Sequence, residues 1–227
     1  MTNRTAEPVT PWQARAAAWE LLALTFRYPG AVLADALASG EWADAAREIC
    51  AAIGAWLPEG WADDGADAGQ GGVQELLREL RVEATRLFVG LPDPICSPYE
   101  GVWRAADDGV QALLFVNPHS MDVECFCRAC GLGRPEGTNE PLDHIATECE
   151  LLMFLALGAN DPAALPDAVD VEALPGGSAA AAYEQFLRDH AAAWMPRFAE
   201  KVQERSRTVF YGKAGKLLEA VLQEELS

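Results

Sequence analysis

The sequence has little positive charge. It contains 17 lysine and arginine residues against 35 aspartate and glutamate residues, which gives a formal net charge of −18 at pH 7. Proteins that hold nucleic acid need basic patches that neutralise phosphates. The composition therefore argues against a nucleic-acid-binding protein. It favours a partner that carries positive charge, although a large negative charge also serves simple solubility.

The sequence also lacks long apolar runs and a recognisable export signal. The longest apolar run is Leu151–Ala159, whereas a membrane-spanning helix needs ~20 residues. The first residues, Met1–Pro11, are polar, so we expect a cytoplasmic protein. No glycine-rich phosphate-binding loop of the P-loop type is present, which leaves a nucleotide hydrolase without its usual cradle.

Alternating β-branched runs are missing as well, while alanine and leucine recur at helical spacing. Thr10 and Gln13 form a predicted capping box at the start of the first helix. Later in the chain, Ser178 is a predicted N-cap of a helix to Trp194, and Pro196 is predicted to start the next helix. We predict an all-α fold, in which residues 1–227 form a single-domain bundle of about nine to ten helices with flexible loops near 60–72 and 161–177.

A polar cluster precedes the most apolar segment of the chain. Pro141 suits the first position of a helix that should run to about Leu157. Asp143 would then lie in the first turn, where a carboxylate meets unpaired N–H groups. His144 and Glu148 are four residues apart, so we expect them on one helix face. The cluster predicts a site, which on these residues alone is compatible with catalysis, metal binding or peptide capture.

A second segment pairs aromatic and acidic residues after a proline-stiffened loop. Leu87 and Phe88 end one apolar helical stripe. A loop with three prolines follows, and after it come Tyr99, Glu100 and Trp103. Aromatic rings beside a carboxylate suit a groove for an apolar peptide that carries cationic residues. The alternative is an aromatic pair that faces the core, with Glu100 at a helix N-terminus.

The two segments together resemble the TorD/DmsD family of cytoplasmic redox-enzyme maturation chaperones. The resemblance rests on Leu-Phe-x-Gly at 87–90, Pro-Tyr-Glu-x-Val-Trp at 98–103 and Pro-x-Asp-His-Ile-x-x-Glu at 141–148. It implies an all-helical chaperone that binds the twin-arginine signal peptide, here called the leader, of a molybdenum-cofactor oxidoreductase subunit. Such a chaperone assists cofactor insertion and holds back export through the Tat translocon until the subunit has folded.

The resemblance also implies which residues bind the peptide. Carried over position by position, they are Leu87, Phe88, Tyr99, Glu100, Trp103, Asp143, His144 and Glu148. The carboxylates would meet guanidinium groups, and the apolar side chains would cover the apolar part of the leader. Gly101 departs from the family pattern, which has a small serine there, and we expect this change to be mild.

The predicted partners are therefore the leader and folded body of a molybdopterin-containing reductase subunit, with at most transient membrane association through the Tat system. We expect no enzymatic activity, because no nucleophile accompanies the Asp143–His144–Glu148 group at a defined spacing. We also expect no cofactor of its own. The motifs specify neither the client nor a guanine nucleotide, and they leave monomer and domain-swapped dimer open.

Cysteine clustering suggests a different class of function, namely a cysteine-ligated metal-binding or redox-sensing helical protein. Cys125, Cys127 and Cys130 are clustered, and Cys149 lies downstream. If residues 118–130 form one helix, Cys125 and Cys127 point about 200° apart and cannot share a metal ion. Cys127 and Cys130 share a face, so a two-thiol site or redox pair stays open, but free structural thiols are favoured.

Overall fold

The computed structural model describes residues 9–61, 72–91, 93–110, 117–133 and 141–227. Within these ranges the chain forms α-helices and no β-strand, which confirms the predicted all-α fold. The helices are α1 (Pro11–Phe26), α2 (Ala31–Ser39), α3 (Glu41–Ile53), α4 (Gly72–Ala84), α5 (Glu100–Asp107), α6 (Pro118–Ala129), α7 (Ile145–Asn160), α8 (Ala179–Phe186), α9 (Ala192–Arg205) and α10 (Val209–Glu225).

Local capping signals explain where several helices begin. Thr10 caps α1 through the predicted capping box, in which its hydroxyl accepts from the Gln13 backbone N–H and its own N–H donates to the Gln13 side chain. Asn117 caps α6 by accepting from the His119 N–H, and Ser178 caps α8 by accepting from the Ala181 N–H. These caps satisfy backbone N–H groups that have no partner inside their helices.

The core is built around α1 and α7, which pack along each other, and around the α9–α10 pair. Its largest fully buried side chains include Trp19, Trp42 and Trp194. No single helix in the described ranges is long and apolar enough to cross a membrane, and α1 with α2 reaches that length only across a 111° bend.

Two predicted helix starts are wrong. Pro196 lies inside α9, because α8 continues through a π-helical turn at Leu187–Ala191 into α9. The helix predicted from Pro141 begins at Ile145 instead. There the Asp143 carbonyl accepts from Glu100 N (3.0 Å), and Ile145 N donates to the Pro98 carbonyl (2.8 Å), so a tertiary contact uses the backbone groups that a helix would need.

The single-domain organisation and the two flexible loops stay predictions. Residues 62–71 of the first loop lie outside the described residues. The second loop carries three single turns of 3-10 helix, at Pro162–Ala164, Val171–Ala173 and Pro175–Gly177.

Candidate functional site

The two predicted segments meet at a single antiparallel bridge between Tyr99 and His144. The two rings pack edge to face, with their centroids 5.3 Å apart. His144 is the N-cap of α7, and its Nδ1 accepts from the Ala146 backbone N–H at 3.1 Å. The pairing places one aromatic ring and one imidazole side by side at the mouth of α7.

The bridge forms one wall of a cavity of about 390 Å³, here called the aromatic cavity. Three of the predicted site residues line it: Phe88, Tyr99 and His144. The other lining residues are Phe26, Arg27, Tyr28, Ala84, Val89, Pro98, Ala146, Thr147 and Glu150. Four aromatic rings stand beside the charged groups of Arg27 and Glu150, so the cavity offers both apolar and polar surface to a ligand.

His144 is uncharged in this setting. Burial lowers the pKa of its imidazole from 6.5 to about 4, because removing water disfavours the cationic form. Protonation of Nδ1 would also break the cap on Ala146. At neutral pH the ring therefore presents an apolar and hydrogen-bonding surface to the cavity and does not repel a cation.

The three predicted carboxylates lie beneath this cavity. Glu100 and Glu148 have no exposed surface, and Asp143 is 1% exposed. Asp143 Oδ2 accepts from the Gly101 backbone N–H (2.9 Å) and from Ser120 Oγ (2.6 Å), so it caps the N-terminus of α5 from a different segment. It joins α5, α6 and the start of α7 and does not lie in the first turn of α7.

Glu100 and Glu148 are neighbouring buried carboxyl groups. Arg104 Nη1 donates to Glu100 Oε1 at 2.8 Å, and His190 Nδ1 lies 3.1 Å from Glu100 Oε2. Trp194 Nε1 donates to Glu148 Oε2 at 3.0 Å. Burial, followed by the nearby charge of Glu100, raises the pKa of Glu148 well above its usual value. Glu148 is therefore held as a neutral acid within the core.

The predicted sharing of one face by His144 and Glu148 does not occur at the cavity. His144 precedes the first helical residue, and Glu148 points into the core toward Trp194. The face of α7 that lines the cavity carries Thr147 and Glu150, which are three residues apart.

Leu87 and Trp103 do not line the aromatic cavity. Leu87 is fully buried in the core. Trp103 donates from Nε1 to the Ser97 carbonyl at 2.8 Å. Arg197 and Lys201 lie over its ring, with their cationic groups 5.7 and 5.2 Å from ring centroids. Trp103 therefore holds the 97–103 segment against α9 and is covered by basic side chains.

Gly101 occupies a closed space, so its difference from the family pattern is not mild in this chain. A Cβ atom at this position would overlap Ser120 Oγ and lie 3.0 Å from Asp143 Oδ2. The small residue permits the three-segment junction beneath the cavity.

Sequence reasoning missed several residues of the cavity, above all Arg27, Tyr28 and Glu150. Arg27 Nε donates to Glu150 Oε1 at 2.7 Å, and its Nη2 contacts the same oxygen. Glu150 is the carboxylate and Arg27 the guanidinium among the described residues that line the cavity. The i,i+3 spacing of Thr147 and Glu150 could have indicated this face of α7, whereas Tyr28 belongs to none of the motifs.

The cysteines are separate from this site. Cys125 is exposed and the other five are buried. Burial raises the pKa of Cys127 and that of Cys130 to about 12, so both thiols are protonated at neutral pH. Within the described ranges, no three or more histidine, cysteine or acidic side chains are placed to hold a metal ion.

We expect alkylation to distinguish these thiols. Iodoacetamide should modify Cys125 in the native protein and all six cysteines after denaturation, because the thiolate reacts and the buried thiols are neutral. Mass spectrometry of the alkylated protein measures the number of modified cysteines in the native and in the denatured state. Rapid native labelling of Cys127 or Cys130 would instead indicate a reactive redox pair.

Comparison with known proteins shows which family this sequence matches. The sequence pattern of the family described as "nitrate reductase delta subunit" matches residues 37–200. The chain is 29% identical over 145 residues to the chaperone protein TorD of Photobacterium profundum, covering 64% of this chain and 61% of that protein. It is 27% identical over 152 residues to TorD of Vibrio cholerae, covering 67% of this chain and 63% of that protein.

The chain thus matches somewhat less than two thirds of the length of these relatives. A solved structure, described as a putative redox enzyme maturation protein from Archaeoglobus fulgidus, aligns with a TM-score of 0.49 at 21% identity, over 92% of this chain and 93% of that one. The family match spans most of the sequence and confirms the resemblance to TorD-type maturation chaperones. The chain therefore belongs to the nitrate reductase delta subunit family.

Proposed function

We propose that this protein is a maturation chaperone that binds the twin-arginine leader of a molybdenum-cofactor oxidoreductase subunit in the aromatic cavity. It would hold the subunit while the cofactor is inserted and delay export through the Tat system until folding is complete. The observation that carries this proposal is the aromatic cavity at the Tyr99–His144 bridge, with a carboxylate at its edge.

The chemistry of the cavity suits the two parts of such a leader. A twin-arginine leader has a cationic region followed by an apolar stretch. The rings of Tyr28, Phe88 and Tyr99 offer apolar surface and aromatic faces, on which a guanidinium group can also stack. Glu150 offers the carboxylate. The net charge of −18 adds a long-range attraction for the cationic region.

The peptide-binding roles of the eight predicted residues stay predictions, and the geometry divides them into two groups. Phe88, Tyr99 and His144 line the cavity and are proposed to touch the peptide. Leu87, Glu100, Trp103, Asp143 and Glu148 lie beneath or beside it and would act by holding its walls in place.

The direct test is calorimetric titration of a synthetic leader into the purified protein. We expect roughly micromolar binding, since ordering a flexible peptide offsets much of the gain from apolar burial. His144→Asn keeps a side chain that can cap α7 but removes the ring from the cavity wall. This variant and Tyr99→Ala should each weaken binding about fivefold or more.

Trp56→Ala is the matched control, because Trp56 is a large aromatic residue that is 72% exposed and does not line the cavity. Its affinity should equal that of the unaltered protein. If the protein binds no twin-arginine leader, or binds its client equally well after the leader is deleted, the leader is not the recognised element.

A further inference from the structure

Glu150 lies where three cavities meet. It lines the aromatic cavity, a cavity of about 350 Å³ between α6 and α7, and a cavity of about 420 Å³ between α1, α3 and α7. The second cavity is lined by apolar side chains that include Leu142, Met153 and Phe154. A ligand that joins a cationic group to an apolar chain can therefore place the cation at Glu150 while its apolar part enters a neighbouring cavity.

The carboxylate of Glu150 is already in contact with a guanidinium group of the same chain. Arg27 follows the last residue of α1, and both of its contacts go to Glu150 Oε1. The two side chains are 58% and 36% exposed. An ion pair at this exposure contributes only about 0–1 kcal/mol, so Arg27 can leave Glu150 at little cost.

Apart from Arg27, the described residues around Glu150 supply no positive charge that would neutralise its carboxylate. His144 is neutral, because burial lowers its pKa to about 4. From α1, Glu20 and Arg27 face the third cavity, and the other lining residues of the three cavities within the described part of the chain are uncharged. A cation that approaches Glu150 therefore meets Arg27 as the positive charge in its way.

We propose that Arg27 is an internal competitor for the leader, whose arginine must displace the Arg27 guanidinium from Glu150. The inference rests on the proposed function. It adds that Glu150 selects for arginine in the leader and that Arg27 limits the affinity of the protein for the leader. An aromatic-walled carboxylate that accepts one planar guanidinium accepts another, whereas a lysine ammonium lacks the planar fork and stacks less well.

The first experiment measures binding of an Arg-Arg leader peptide at low salt. Arg27→Gln should tighten binding about 3–10-fold, because it removes both the competitor and its repulsion. Glu150→Gln should weaken binding by a similar factor. In the Glu150→Gln background, Arg27→Gln should give a smaller gain, since only the repulsion by Arg27 is left to remove. A Lys-Lys peptide should bind more weakly and respond less to Arg27→Gln.

Arg47→Gln is the matched control. Arg47 is 57% exposed and pairs with Asp44 on α3, and neither residue lines the three cavities. Its effect on affinity should be within experimental error. An Arg27→Gln variant that binds the leader more weakly, or with unchanged affinity, would overturn the competitor role while leaving leader binding itself intact.

A second readout does not depend on the leader. Methylguanidinium titrated into the isotopically labelled protein should shift the Arg27 Nε resonance, and methylammonium at equal concentration should shift it less. Glu150→Gln should abolish the difference. If methylguanidinium leaves the resonance unmoved, Arg27 is not displaced by guanidinium, whatever the leader does. If the resonance moves but the leader fails to bind, the proposed function is wrong and the exchange at Glu150 stands.

Discussion

Gly101→Ala is expected to destabilise the protein by about 1–3 kcal/mol, the range found when extra volume is forced into a packed site. The added methyl group would overlap Ser120 Oγ and lie 3.0 Å from Asp143 Oδ2 and 3.1 Å from Asn117 Cγ. None of these groups moves freely. Ser120 donates to Asp143, and Asn117 Nδ2 donates to the Gly101 carbonyl at 2.6 Å.

Gly212→Ala is the matched control for this variant. Gly212 lies within α10, and a Cβ atom there would meet no heavy atom within 4 Å. Alanine at that position should stabilise the helix by about 0.5–1 kcal/mol. Urea denaturation of the two variants should therefore move the midpoint in opposite directions. A Gly101→Ala variant as stable as the unaltered protein would mean that the junction repacks without cost.

The junction also connects stability to the aromatic cavity. Gly101 lies two residues after Tyr99, and Asp143 lies directly before His144. Tyr99 and His144 form one wall of the cavity. Gly101→Ala should therefore weaken leader binding as well. Adding Ser120→Ala removes the nearest clash but also a hydrogen bond, so we expect partial recovery of stability.

Sequence patterns predicted the parts of this structure that depend on local physics. Thr10 and Ser178 cap their helices as predicted, because a cap needs only a side-chain acceptor and a backbone N–H two or three residues away. Asp143 also caps a helix, but its acceptor serves Gly101, which lies 42 residues earlier. Such a cap has no local signature, so Pro141 was mistaken for the start of α7.

The candidate site was predictable only where short motifs of the sequence mark it. The motifs at 98–103 and 141–148 indicated that Tyr99 and His144 act together, and the structure pairs them. Glu100 and Glu148 were predicted to meet guanidinium groups of the leader, but both are fully buried. Their burial depends on Trp194 and His190, which come from the α8–α9 region. Arg27 and Glu150 are 123 residues apart, and neither belongs to a motif.

Glu148→Gln is expected to stabilise the protein at neutral and alkaline pH. Glu148 is fully buried, and burial raises its pKa well above 4.5. Below pH 4.5 the side chain is protonated in both the folded and the unfolded chain, so its contribution to stability is fully present. As the pH rises further, the unfolded chain releases the proton first, and stability is lost until the pH passes the folded pKa.

Glutamine mimics the protonated acid and does not titrate. It keeps an acceptor for Trp194 Nε1 and a donor toward the Glu100 carboxyl group. The gain in the free energy of unfolding should be near zero at pH 4 and reach about 1–3 kcal/mol at pH 8. Urea denaturation across this pH range measures it. Glu184→Gln on the exposed side of α8 is the control for the substitution itself, and it should change the free energy of unfolding by less than about 0.5 kcal/mol.

His144 contributes with the opposite sign and can be separated from Glu148. Its pKa is lowered from 6.5 to about 4, so its contribution is present above pH 6.5 and is lost as the pH falls toward 4. Asp143, whose pKa burial raises, acts in the same direction as Glu148. Only the difference between Glu148→Gln and the unaltered protein isolates the buried acid, because the other two groups remain in both. A Glu148→Gln variant whose loss of stability is small at pH 4 and grows toward pH 8 would show instead that Glu148 is ionised in the fold and stabilised by its neighbours.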